Sequence, residues 1–251
     1  KISELKEFGE KLLSIIKEFV PYLEKSIESY SNYSNNPFDY MESLANRPKI
    51  KIVSKPVLIS NTPNPDDVII KSSIMYHFQC SEQEAKQIME ESEKIDPEYK
   101  AKSMNIILHK EERRELEQVS FTFQIPISLS ILTHLTRHRM HSLLIPEFTP
   151  LWDFNNFIIP ATIQAKSELK NIFINAQKEN MKIFEEFKNS NVSDEDLIYF
   201  YLGCQMLNVV TTMNGRTLQW ILHLRCCNKA QWQIRNIAKE LAKQVSSVAP
   251  L

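Results

Sequence analysis

Two stretches of this chain concentrate side chains that could hold an anion. In the first, Arg137, His138 and Arg139 are consecutive, with His134 one helical turn earlier and His141 just after. In the second, Asn214, Arg216, His223, Arg225 and Lys229 follow one another along a single segment. Cations at a helix C-terminus complement the helix dipole, but that term is typically below about 1 kcal/mol and does not call for two arginines and three histidines so close together. Two fixed guanidinium forks suit a phosphate or diphosphate, which they grip bidentately. The chemistry indicated is recognition of a phosphorylated cofactor.

The elements around these residues are readable. Val119, Phe121, Phe123 and Ile125 alternate with Ser120, Thr122 and Gln124, which predicts a half-buried strand. Pro126 is placed to open a helix, along which Ile127, Ile131, Leu132 and Leu135 recur at helical spacing and lead to Arg137. Leu207 to Met213 is a strand candidate delivering Asn214, a helix then carries Arg216 to Arg225, and a last helix runs from about Lys229 to Val245. Gln231, Trp232 and Arg235 read equally well as helix surface or as ligand contacts.

Elsewhere the chain reads as scaffold. An apolar stripe from Ile2 through Leu5, Phe8, Leu12, Ile15 and Phe19 to Ile27 predicts an amphipathic helix over residues 2–30, bent at Pro21, that packs on its own domain or on a sister subunit. Residues 31–37 read as a linker. A strand near Lys51 to Ile59 and a helix over Val68 to Tyr76 come next. Ser81 and Glu84 form a capping box for a helix to about Lys94, and Pro97 opens another to His109, read as a solvated surface histidine. Asn156 to Pro160 looks like a strand, Ala161 to Phe187 one long amphipathic helix, and Ser193 and Asp196 cap a further helix over Asp194 to Cys204.

Composition limits the alternatives. The hydrophobic fraction is 43% and the charged fraction 24%, which suits an ordinary globule. With a net charge of −1, no bulk electrostatic attraction to a nucleic-acid polymer or a membrane is expected, so anion binding must be local. Only Gly9, Gly203 and Gly215 are glycines, which excludes a Gly-rich phosphate loop. Cys80, Cys204, Cys226 and Cys227 have no metal-ligand spacing and read as reduced, buried thiols of a cytoplasmic protein. No metal is expected. No apolar run approaches the roughly 20 residues of a membrane span, and no signal peptide is visible after Lys1.

The Arg137-His138-Arg139 triplet followed by Ser142, and preceded by a strand in which Glu117 leads to Ser120-Phe121-Thr122-Phe123, resembles the signature of the flavin-dependent thymidylate synthases. The segment Asn214 to Arg235 is similar to that family's other strong block, with N-x-R-x-L, then L-R, then A-Q-W-x-I-R. The resemblance covers about Pro56 to Val245, so residues 1–50 are expected to be an N-terminal helical extension of a domain over 51–251. It implies an α+β fold: an antiparallel sheet with a helical layer, plus the extra N-terminal helix.

The resemblance also implies an activity, the FAD-dependent transfer of a one-carbon unit from methylenetetrahydrofolate to carbon 5 of dUMP, with NADPH as reductant and no cysteine nucleophile. It places Glu117, Arg137, His138, Arg139, Met140, Asn214, Arg216, Leu224, Arg225 and Lys229 at the FAD, and His134, Glu147, Thr149, His223 and Arg225 at the uracil nucleotide, with Arg225 and Thr149 catalytic. It further implies a homotetramer with shared active sites. The family's histidine before the strand is replaced by Glu112. Past Ser142 the family continues N-E-x-S-x-R-Y; here Glu147, Thr149 and Trp152 stand for the acid, serine and tyrosine, while Leu151 replaces the arginine. No Lys or Arg occurs between Lys188 and Arg216, where a second phosphate ligand is expected. His141, His223 and Lys229 are the replacement candidates. Two other readings therefore stand beside the first: a flavoenzyme of the same fold acting on a different, non-phosphorylated substrate, and a non-catalytic anion-binding or assembly protein.

Overall fold

The computed structural model describes residues 3–20, 51–146, 154–190 and 192–251. They fall into two compact units. The larger, comprising residues 52–147, 155–159 and 202–251, carries the sheet and both cationic stretches.

Its four strands are β1 (Val57–Asn61), β2 (Ser120–Ser128), β3 (Ser142–Leu144) and β4 (Met206–Asn214), ordered β1-β2-β4-β3 with every pairing antiparallel. Val119, Phe121, Phe123 and Ile125 are all buried, so the alternation marks the core face correctly. The strand does not stop at Pro126. It runs to Ser128, with Pro126 opposite Asn208 of β4, because β1 pairs no further than Gln124 and leaves that stretch flanked on one side only. Ile127 is thus buried from the strand, and helix α5 begins at Leu129.

The helices of this unit are α2 (Pro65–Phe78), α3 (Glu82–Ile95), α4 (Tyr99–His109), α5 (Leu129–Thr136), α9 (Gly215–Arg225) and α10 (Trp232–Val248). Ser81 and Glu84 form both halves of the expected capping box. His109 ends α4 exposed, its Nδ1 2.7 Å from the Asn105 carbonyl. Helix α10 is pinned to the sheet at both ends. Ser128 donates to Gln233 Oε1 at 2.5 Å in the core, while Gln244 takes the Leu58 amide at 2.6 Å and donates to the Pro56 carbonyl at 2.5 Å. The segment 156–160 is not a strand; Phe157 and Gln205 make a single bridge.

The other unit comprises residues up to Lys51, 148–154 and 160–201. Helix α1 (Ser3–Phe19) leaves Leu5, Phe8, Ile15 and Phe19 exposed, and the expected bend at Pro21 lies outside the described residues. The long helix expected from Ala161 is broken. Lys166 adopts an extended backbone between α6 (Ala161–Gln164) and α7 (Ser167–Lys188). The helix capped by Ser193 is only α8 (Asp194–Leu197), giving way to a 3-10 turn over Ile198–Phe200. Phe154, Phe184 and Leu197 form this unit's core with Phe200 and Tyr201 against them.

Candidate active site

Helix α9 starts where a side chain would not fit. A Cβ on Gly215 would lie 2.8 Å from the Leu116 carbonyl oxygen and 3.0 Å from a methyl of Val119. The helix can therefore press its N-terminus onto the 3-10 turn over Arg114–Gln118. Asn214 caps α9, its Oδ1 accepting from the Thr217 amide at 2.8 Å, which leaves its NH2 group available. This contact sets Arg216 against Glu117, Nη1 to Oε1 at 2.5 Å. Both side chains are exposed, and such a pair is worth about 0–1 kcal/mol, so its consequence is orientation rather than stability.

The other end of α9 meets the Arg137-His138-Arg139 turn. Arg225 donates from Nε to His138 Nε2 at 3.0 Å and from Nη2 to the His134 carbonyl at 3.1 Å, capping the last turn of α5. Its Nη1 has no partner among the described residues. Burial, then Arg225, then His141 push the His138 pKa down to about 4, so this ring is neutral. Burial and, after it, the nearby Arg137 lower the pKa of Arg225 itself, though a guanidinium remains charged. Among the described residues no carboxylate lies within ion-pair distance of Arg137, Arg139 or Arg225. Arg225 on His138 with Arg137 close by, none of the three arginines paired to a carboxylate, makes this end of α9 a place suited to an anion.

Residues 57–251 match the family described as thymidylate synthase complementing protein, Thy1. The chain belongs to this family. It is similar to the flavin-dependent thymidylate synthase of Clostridium tetani, 32% identical over 77% of this chain and 82% of that protein. It is also similar to the enzyme of the same name from Geobacter sulfurreducens, 26% identical over 78% and 84% of the two chains, and to that of Saccharolobus solfataricus, 34% identical over 54% and 53%. The matched span of the Thy1 family includes both cationic stretches and every strand of the sheet.

Around the centre, Arg137, Arg139, Met140, His223, Leu224 and Lys229 are exposed, and His134 is half-buried. His223 stacks on Trp220, ring centroids 6.3 Å apart. Glu147, Thr149, Leu151 and Trp152 lie outside the described residues. Gln231 caps α10 by accepting from the amides of Gln233 at 2.6 Å and Ile234 at 3.3 Å, and Arg235 donates to the Asn228 carbonyl at 2.9 Å; both serve the fold. His141 is not poised as a replacement cation. Its Nδ1 lies 2.6 Å from Thr211 Oγ1 and its Nε2 3.3 Å from the Leu135 carbonyl, and burial outweighs that carbonyl in lowering its pKa.

Thr211 and Gly215 are the residues that sequence reasoning missed. A threonine on the apolar face of β4 and a glycine directly after a helix cap, in a chain with three glycines, were the available signals. The cysteines are less covered than expected: Cys80, Cys204 and Cys226 are half-buried and Cys227 is exposed. Among the described residues, no helix is long and apolar enough to cross a membrane and no group of three His, Cys, Asp or Glu could hold a metal ion.

Proposed function

We propose that this chain is a flavin-dependent thymidylate synthase, transferring a one-carbon unit from methylenetetrahydrofolate to carbon 5 of dUMP with FAD as cofactor and NADPH as reductant. The observation that carries the reading is the contact of Arg225, at the end of α9, with His138 in the Arg137-His138-Arg139 turn, on a chain whose Thy1 match spans residues 57–251. The donor set fits FAD: guanidinium forks suit its diphosphate, and the Asn214 amide and Arg216 extend the donors along α9. When bound, FAD supplies the hydride that the transfer requires.

The protein's own groups supply placement and charge. Glu117 holds Arg216, while Met140, Leu224 and Lys229 border the flavin. On the substrate side, His134, Glu147, Thr149 and His223 receive the nucleotide. Arg225, with Nη1 still available, stabilises negative charge developing on the pyrimidine, and Thr149 is the second catalytic group. Exposed Met140, Leu144 and Trp220 beside the site support cover by a sister subunit, as in a homotetramer. The start of the family match at residue 57 supports reading residues 1–50 as an N-terminal extension preceding a catalytic domain over 51–251 in the sequence. Four free thiols suit the cytoplasm.

One observation favours a second reading. Leu151 replaces the arginine expected for the nucleotide phosphate, and no Lys or Arg occurs between Lys188 and Arg216. Each missing charged hydrogen bond is worth roughly 1.5 to 3 kcal/mol. A flavoenzyme of this fold acting on an unphosphorylated substrate is the alternative. Titration of the flavin-loaded protein with dUMP and deoxyuridine, followed by flavin absorbance, separates the two. A micromolar response to dUMP that vanishes with deoxyuridine supports the synthase, and silence to both with flavin firmly held supports the alternative.

A further inference from the structure

Helix α1 has the strict three-and-four spacing of a coiled-coil seam. Leu5, Phe8, Leu12, Ile15 and Phe19 occupy successive apolar positions of a seven-residue repeat, and each is between 44% and 74% exposed. Leu13 and Ile16, on the adjoining flank, are half-buried, so the stripe left uncovered is the seam itself. At Gly9, on the edge of that stripe, an added Cβ would meet nothing within 4 Å among the described residues beyond its own helix backbone. A repeat of 3.5 residues matches a second helix, whose side chains enter the holes between those of the first. A lipid surface is the poorer match. Residues 7–18 set Glu7, Glu10 and Glu18 against Lys11 and Lys17, whereas helices that lie on membranes have polar faces rich in Lys and Arg.

We infer that α1 is a docking surface for α1 of a second copy of this chain, the two helices running antiparallel with Leu12 of each opposite Ile15 of the other. Charge selects this register. With Leu12 against Ile15 and Phe8 against Phe19, Lys11 of each copy comes beside Glu18 of the other, and the two-fold symmetry makes the pair twice. Sliding the helices by one heptad sets Phe8 against Leu12 and brings Lys11 against Lys11, and a parallel pair in register sets Lys11 beside apolar Ile16. Lys11 already reaches Glu7 of its own helix at 2.7 Å, but an ammonium has three hydrogens to give, which leaves donors for a second carboxylate. The surface lies before residue 57, where the family match begins, and does not depend on the flavin reading.

Carbodiimide treatment of the full chain tests the register, because it condenses an amine with a carboxylate only where the two touch. A dimer band should form on a denaturing gel, and mass spectrometry of that band should find Lys11 of one copy joined through an amide to Glu18 of the other. Leu12→Glu, which puts a charge in the seam, should lower the yield of that link about tenfold or more while flavin affinity stays within about twofold of the parent's. Exchanging the charges, Lys11→Glu together with Glu18→Lys, should keep the link with amine and acid reversed, since each acid still meets a base. Absence of a link between copies, or a link from Lys11 to a different segment, overturns the inference and leaves the synthase reading intact. A Lys11–Glu18 yield that Leu12→Glu does not change overturns it as well.

Discussion

His141 and Thr211 clamp the cationic turn to the sheet: the imidazole Nδ1 lies 2.6 Å from the threonine hydroxyl on β4, and its Nε2 reaches back 3.3 Å to the Leu135 carbonyl at the end of α5. The Thr211 hydroxyl in turn donates to the Ser142 carbonyl at 2.9 Å, so one buried side chain ties the imidazole to both β4 and β3. Thr211 is buried, so Thr211→Val should leave the ring nitrogen unsatisfied and cost about 1–3 kcal/mol. Urea denaturation reads the loss. Unchanged stability would mean that the turn is held by Arg225 alone.

Gly215→Ala should disturb the site without touching a charged group. The added methyl would meet the Leu116 carbonyl oxygen at 2.8 Å, and backbone cannot swing aside as a side chain does. A cost of about 1–3 kcal/mol is expected, together with weakened flavin binding as Glu117 and Arg216 separate. Thermal melts and flavin titration of the variant check both; a melt and a flavin affinity equal to the parent's would show that the turn gives way freely.

How far these contacts were legible beforehand varies with their range. The core face of β2 was readable because alternation needs only neighbours, and Asn214 and Ser81 were readable because caps are local. Pro126 misled because a proline's usual place is a helix start, and only the limited reach of β1 shows why a strand tolerates it here. The break at Lys166 has no proline or glycine to announce it. Residue types alone gave the arginines, but Arg225 and His138 are 87 positions apart, and no spacing rule joins them. Resemblance implies a flavin role for both; the fold brings them together.

Acid should destabilise the fold through His138. Its folded pKa is about 4, below the usual 6.5, so as pH falls through 6.5 the unfolded ring takes a proton that the folded ring refuses. The stability held by the neutral ring is complete above 6.5 and lost progressively down to about 4, and His141 contributes with the same sign. After discounting for partial exposure of the ring, about 1 kcal/mol is expected from His138. Denaturation midpoints between pH 7 and pH 4 should fall less steeply in His138→Asn than in the parent.

Arg137→Gln and Arg139→Gln should each weaken flavin binding about tenfold or more, since charged hydrogen bonds contribute roughly 1.5–3 kcal/mol. The remaining affinity should depend less on salt than the parent's, because fewer charges are left to screen. Flavin titrations at two ionic strengths measure both effects; a loss of affinity with undiminished salt dependence would place the diphosphate elsewhere.

Product formation is the most direct measurement. Purified protein supplied with FAD, NADPH, methylenetetrahydrofolate and dUMP should yield dTMP, and omission of FAD or replacement of dUMP by deoxyuridine should abolish the product. Tightly held flavin with no dTMP under those conditions would contradict the assignment of this chain as a thymidylate synthase.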